Sequence, residues 1–261
     1  HLDPASRVVV AGRYGDGVLD RIRREGREKF ALDLPRVPLA PGRPEDLLAY
    51  AFLRKDLPFA RPFEPFEEGI AFPGAAGRVP AFGIHGDSGA PDLAAMRGQT
   101  TVLFHGAGKD GRDMALEIRT KGGDVLLLAA VPFAGDLEGT WRSLAGVPRA
   151  AAGPLREGEV LAVPKVHFDL AHRFSEFLGA PLRNPGFEEF RVTEAMQSVL
   201  LRLDEAGVLL ESEAVVEAKL SLEPEKRRFV FDRPFLLALR EASSAEPYLL
   251  LWIANPDLMP R

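Results

Sequence analysis

The sequence contains no cysteine in 261 residues. Disulfide frameworks, thiol catalysis and cysteine-ligated metal or iron–sulfur sites are therefore excluded. Long apolar runs are missing too: the longest, Val125 to Ala134, is too short to cross a bilayer. There is no surplus of positive charge. Lys and Arg number 33 against 38 Asp and Glu, a net charge of −5, which gives no electrostatic reason to expect nucleic acid. Internal repeats and low-complexity segments are absent. No signal peptide is present, and the chain starts at His1 rather than Met. That start reads as a processed or cloned end. An exported or cell-envelope location is slightly favoured over a cytoplasmic one, and oligomeric state does not follow.

What the sequence has in quantity is turns. It holds 25 Gly and 22 Pro, with 46% hydrophobic residues, enough to build a sizeable core. Short apolar runs between Gly/Pro turns predict strands at Leu47–Leu53, Gly77–Ile84, Gln99–His105, Met114–Arg119 and Asp124–Val131. Later runs predict strands at Gln197–Leu203, Val208–Leu220, Phe229–Arg240 and Pro247–Ala254. Helices are expected at Val18–Glu25, Gly135–Ala145 and Asp169–Leu178, the last stopped by Gly179. Residues 7–11 form a short β-type run, and Gly12 to Gly17 a turn. This order predicts an α+β fold with largely antiparallel sheets and few helices.

Several motifs imitate chemistry. Gly86-Asp-Ser-Gly89 has the form of a trypsin-like nucleophile turn around Ser88. A serine nucleophile needs a histidine base, and only His1 and His85 precede Ser88. His85, three residues away, is poorly placed for that geometry. Gly12, Gly15 and Gly17 follow a valine run, but their spacing is not that of a dinucleotide loop, and Tyr14 stands where a glycine is needed. His167 and His172, five apart, fall on different faces of the expected helix and have no carboxylate at ligand spacing. No constellation supports an enzyme, a cofactor or a metal.

The C-terminal third is more specific. Phe231-Asp-Arg-Pro-Phe-Leu-Leu-Ala-Leu-Arg240 followed by Leu249-Leu-Leu-Trp-Ile-Ala-Asn-Pro256 resembles the closing signature of serpins. Val192 to Gly207 resembles the serpin strand that leads into the reactive-loop hinge, with Gln197 where the family usually has His. Val160-Leu-Ala-Val-Pro-Lys-Val-His-Phe168 is similar to the strand–helix segment before it. Leu47-Leu-Ala-Tyr-Ala-Phe52 and Arg61-Pro-Phe-Glu-Pro65 resemble the central strand and its following turn. The resemblance runs from about Leu47 to Pro256. Departures include Ala49 for the family's Asn, Leu57 or Phe59 for its Trp, and Leu251 for a late Gly.

The resemblance implies a serpin-like multi-sheet fold lacking most of the N-terminal helical half. Residues 1–46 would be a divergent N-terminal segment and 47–261 a serpin-like core, single-domain overall. It places a reactive-loop hinge at Glu205, Gly207, Val208 and Leu210, and a scissile region at Lys219, Leu220, Ser221, Leu222 and Glu223. The stretch after Gly207 lacks the small-residue tract of inhibitory members. Val208, Leu210, Ser212, Ala214, Val216 and Ala218 alternate with Leu209, Glu211, Glu213, Val215 and Glu217, the period of a half-buried strand. The expectation is a non-inhibitory protein-binding or structural module with this segment held as a strand. The alternative is a suicide-substrate inhibitor of a serine or cysteine protease, cleaved near Lys219–Glu223. Apart from a protein partner or protease, no partner is implied.

Overall fold

The computed structural model describes residues 4–35, 42–55, 57–86, 92–149, 152–183, 185–187, 189–192, 196–207 and 226–260; for 169–173 and 196–200 it describes the backbone path. In chain order the elements are β1 (Arg7–Arg13), α1 (Val18–Phe30), β2 (Leu47–Leu53), β3 (Glu64–Ala71) and β4 (Arg78–His85). They continue with α2 (Leu93–Gly98), β5 (Thr100–Ala107), β6 (Asp113–Arg119), β7 (Asp124–Ala130), α3 (Leu137–Ser143) and β8 (Gly153–Pro154). The remainder are β9 (Val160–Pro164), β10 (Val166–Arg173), β11 (Met196–Leu203), β12 (Arg228–Val230), β13 (Phe235–Glu241) and β14 (Leu249–Ile253). No helix among the described residues is long and apolar enough to cross a membrane.

The chain divides into two compact units, each built from two stretches of sequence. The smaller takes His1–Asp56 and Phe168–Leu200. In it β1 pairs antiparallel with β2 from Arg7↔Leu53 to Arg13↔Leu47. Helix α1 sets Val18 and Ile22 against Val8, Val10, Leu34 and Leu48, as expected from an apolar stripe at helical spacing. Gly26 is required inside α1 because a Cβ there would lie 2.7 Å from the Leu34 side chain. β10 pairs with β11 in a separate two-stranded sheet.

The larger unit takes Leu57–His167 and Leu201–Arg261. Its six-stranded sheet runs β14-β13-β7-β6-β5-β8, and its four-stranded sheet runs β12-β9-β4-β3. Ladders are antiparallel except β12 with β9, which are parallel. β7 is buried along its whole length, which is why its sequence after Asp124 is continuously apolar rather than alternating. Leu103, Leu127, Ala129, Leu236 and Ala238 form one cluster with Trp141 and Leu144 from the α3 region. Phe59, Phe63 and Phe82 form an aromatic cluster with centroids 5.0–6.1 Å apart, and Phe231 lies edge-on to Phe235 at 5.3 Å. At the end of the sheet the Tyr248 hydroxyl donates to Asp124 Oδ2 at 3.0 Å. Burial, and then the Asp124 carboxylate, push the phenol well above its ordinary value near 10.

The fold class matches the sequence expectation, and Leu47–Leu53 is a strand at the expected bounds. One expected helix is corrected. Residues 169–178 hold the second part of β10 and a single 3-10 turn at Ser175–Phe177, not an α-helix. Val166 and Phe168 are buried on either side of His167, so the period of 2 is already established before Asp169. The ladder then continues to Arg173. The expected strand Phe229–Arg240 is also two strands, interrupted over residues 231–234, where Pro234 lacks a ladder donor. β3 and α2, in turn, carry no strand or helix signal of their own in the sequence.

Candidate functional site

The segment expected to carry function follows Gly207, within the stretch Leu201–Arg261 of the larger unit. Residues 208–225, with Val208, Leu210 and the whole span Lys219–Glu223, lie outside the described residues, as does Ser88. Both approaches to the segment are described.

On the N-terminal approach, β11 ends in a turn shaped by Asp204, which is buried at 6% exposure. Its Oδ1 accepts from the Ala206 N–H at 3.0 Å, and its Oδ2 from Arg202 Nε at 3.0 Å. Side-chain acceptance two residues ahead is the usual reason for Asp at such a turn. Asp204 and Gly207 also form an isolated antiparallel bridge. Gly207 has φ +96, and a Cβ there would lie 2.5 Å from Phe59 N, 2.6 Å from Leu57 O and 2.7 Å from Pro58 Cα. Both the backbone angle and the approach admit glycine alone.

The surface against which Gly207 rests is firmly held. The Phe59 N–H donates to Ala206 O at 3.1 Å, and the Phe63 N–H to Glu205 O at 2.8 Å. Both phenylalanines are buried, at 2% and 4% exposure. Pro58 O accepts from Lys121 N at 2.8 Å, while buried Gln99 accepts from Arg61 N at 2.9 Å and donates to Arg61 O at 2.7 Å. The Glu205 carboxylate meets Lys165 Nζ at 2.7 Å, both side chains being mostly buried. A groove of about 590 Å³ opens beside this pair along β3 and β4.

The C-terminal approach is fixed by different chemistry. The Arg227 guanidinium donates to both carboxylate oxygens of Glu159, at 2.6 and 3.1 Å, and lies 5.4 Å from the Phe229 ring centroid. Forked pairing and stacking are what distinguish arginine from lysine at such a place. Parallel pairing of β12 with β9 follows at once, and His105 Nε2 contacts Arg228 O at 3.2 Å. Glu159 immediately precedes β9 and Lys165 immediately follows it. One five-residue strand therefore carries an anion for one approach and a cation for the other.

Of the hinge residues read from the sequence, Glu205 and Gly207 sit together at this junction. Asp204, Phe59, Phe63, Gln99, Lys165, Glu159 and Arg227 were not anticipated. Asp204 works through its near neighbours Arg202 and Ala206, but the partners of the others are distant in sequence, and Glu159 and Arg227 offer no local pattern. The histidines fall apart: His85 Nε2 contacts Pro65 O at 3.1 Å and its ring stacks on Phe66 at 3.7 Å. His167 and His172 occupy positions of opposite parity on β10, so their argument from helix faces no longer applies. Gly17 provides the left-handed turn, φ +73, that starts α1, while Gly12 lies within β1.

No family model and no curated protein matches the sequence. Solved structures do match it. Thyroxine-binding globulin in complex with thyroxine aligns with a TM-score of 0.55 at 15% identity, covering 92% of this chain and 65% of that one. Serpin48 of the insect Tenebrio molitor, described as a highly specific serpin, aligns with a TM-score of 0.50 at 12% identity, covering 96% and 76%. Mouse protein-Z dependent protease inhibitor aligns with a TM-score of 0.51 at 14% identity, covering 92% and 63%. The chain thus spans just under two thirds of the length of the globulin and of the mouse inhibitor. The likeness is one of fold: the multi-sheet architecture is that of serpins.

Proposed function

We propose that this chain is a non-inhibitory serpin-fold protein, a protein-binding or structural module with Val208–Ala218 held as a strand. The observation that carries the reading is the residue sequence directly after Gly207. A loop that must insert quickly after cleavage favours small residues, which thread between strands with little steric or desolvation cost. Here the position after a tightly seated glycine opens into Val208-Leu209-Leu210-Glu211, followed by Glu213 and Glu217. Bulky and charged side chains slow such an insertion, whereas their period of 2 suits a permanent half-buried strand.

Serpin-fold neighbours include both a globulin solved with thyroxine and a protease inhibitor, so fold alone does not choose between binding and inhibition. The span from Gly207 to Phe231 has the length for a complete reactive loop, which favours the second reading: a suicide-substrate inhibitor cleaved near Lys219–Glu223. Incubation with a panel of serine and cysteine proteases separates the two. The non-inhibitory reading expects simple cleavage or none, and a melting temperature that does not rise after cleavage. An SDS-stable covalent complex, or a large rise in melting temperature, would establish the inhibitor instead.

A further inference from the structure

The groove beside the Lys165–Glu205 pair has a composition that points to a ligand class. Its apolar floor and walls are Phe66, Val79, Pro80 and Ala81, and about 590 Å³ is a size that small-ligand sites commonly have. Phe66 is held in place by its stack on His85, so the aromatic wall is formed before any ligand arrives. The charges lining the groove are unevenly engaged. Lys165 is paired with Glu205. The Arg78 guanidinium bridges the bulge in β3, donating to Glu68 O at 2.7 Å and to Gly69 O at 2.8 Å and 3.2 Å. Glu67 and Glu68 are exposed at the groove and make no ion pair among the described residues. Three carboxylates against two cations leave the groove net negative, with the unengaged charges both acidic.

The shape favours a compact occupant over an added strand. Among the described residues β3 is the edge of its sheet, but Pro65 lacks a donor and the register shifts between Phe66 and Ile70, two features that discourage edge pairing. We propose that this groove binds a small organic monocation of the arylalkylamine type. The flat apolar body lies on Phe66 and Pro80, and the ammonium lies at the Glu67 and Glu68 carboxylates. The proposed site is built from described residues and uses none of residues 208–225.

Titration calorimetry with three indole probes tests it: tryptamine, the neutral alcohol tryptophol, and the anion indole-3-acetate. Tryptamine is expected to bind best and indole-3-acetate least. The double substitution Glu67→Gln/Glu68→Gln is expected to weaken tryptamine about fivefold while leaving tryptophol unchanged. Raised salt should weaken tryptamine in the same direction. Both glutamates are exposed, so the unliganded variant should melt as the parent does, and a variant that does not is replaced by the single Glu67→Gln. Absence of tryptamine binding, equal affinity for the three probes, or tryptamine affinity unmoved by the substitutions would each overturn the proposal.

Discussion

Lys165 Nζ and the Glu205 carboxylate meet at 2.7 Å, two residues before Gly207, with side-chain exposures of 24% and 18%. Each group has given up most of its water, so the pair is worth keeping only as a pair. Lys165 is also fixed through its backbone, donating to Pro80 O at 2.8 Å. Its side chain therefore starts from a fixed point of the main chain. The ion pair belongs to the junction between β9 and the end of β11, not to the surface salt bridges that screen away in salt.

Removing one partner should consequently cost more than removing both. Lys165→Met or Glu205→Leu alone is expected to destabilise the protein by about 1–3 kcal/mol. The combined Lys165→Met/Glu205→Leu variant should recover part of that loss. Urea unfolding of the four proteins of the cycle measures the coupling, and additive losses would show the two groups to be independent.

Gly207 admits no side chain. Gly207→Ala adds a Cβ inside contact distance of the backbone at 57–59 and forces alanine to φ +96. A loss of about 2 kcal/mol or more in denaturant unfolding is expected. The amide of Phe59, which donates to Ala206 O, should exchange with solvent faster in the variant if the turn moves away to relieve the clash.

The opposite approach depends on geometry rather than charge alone. Arg227→Lys retains the cation but loses the forked pairing with Glu159 and the packing on Phe229. We expect a loss of about 1–2 kcal/mol. Limited trypsinolysis should also quicken after Lys226, where the backbone leads into β12. Stability equal to the parent would show that β12 pairing alone holds this end.

Tyr248 predicts the alkaline limb of stability. Its phenol is neutral in the folded protein well above its ordinary value near 10. The unfolded chain loses this proton first, so the stabilisation is complete below about pH 10 and is lost as pH climbs from there toward the folded value. Tyr248→Phe should lose about 1 kcal/mol near neutrality, from the hydrogen bond to Asp124. The variant should then decline less steeply than the parent between about pH 10 and 11. Parallel declines in pH-dependent urea midpoints would remove Tyr248 as the cause.

The sheets were legible in the sequence because their periodicity is local. The apolar runs Val125–Ala130 and Leu47–Leu53 identify strands without reference to anything distant. β10 misled because its period of 2 shows only when Val166–Phe168 is taken as one run with residues 169–173. At the functional junction, Gly207 was legible through resemblance, and its φ and close packing give that glycine a physical reason. What positions it was not legible. Phe59 and Phe63 look like ordinary core aromatics, and Gln99 like the first residue of a strand, until their backbone partners are known. The Glu159–Arg227 pair spans separate regions of the chain, and no spacing rule joins them.

Strand β9 sets a distance as well as a pairing. It spans about 16 Å over its five residues, with Glu159 and Lys165 just beyond its ends. Paired along Val160–Pro164 with β4, it is a stiff gauge block, and the attachment points of residues 208–225 are indexed to it. Among the described residues, the anchoring contacts are made by Glu159 with Arg227 and by Lys165 with Glu205. The molecule thus offers a mount for grafted peptides: foreign sequences installed between Gly207 and Lys226 would start and finish at points that these two ion pairs help to fix.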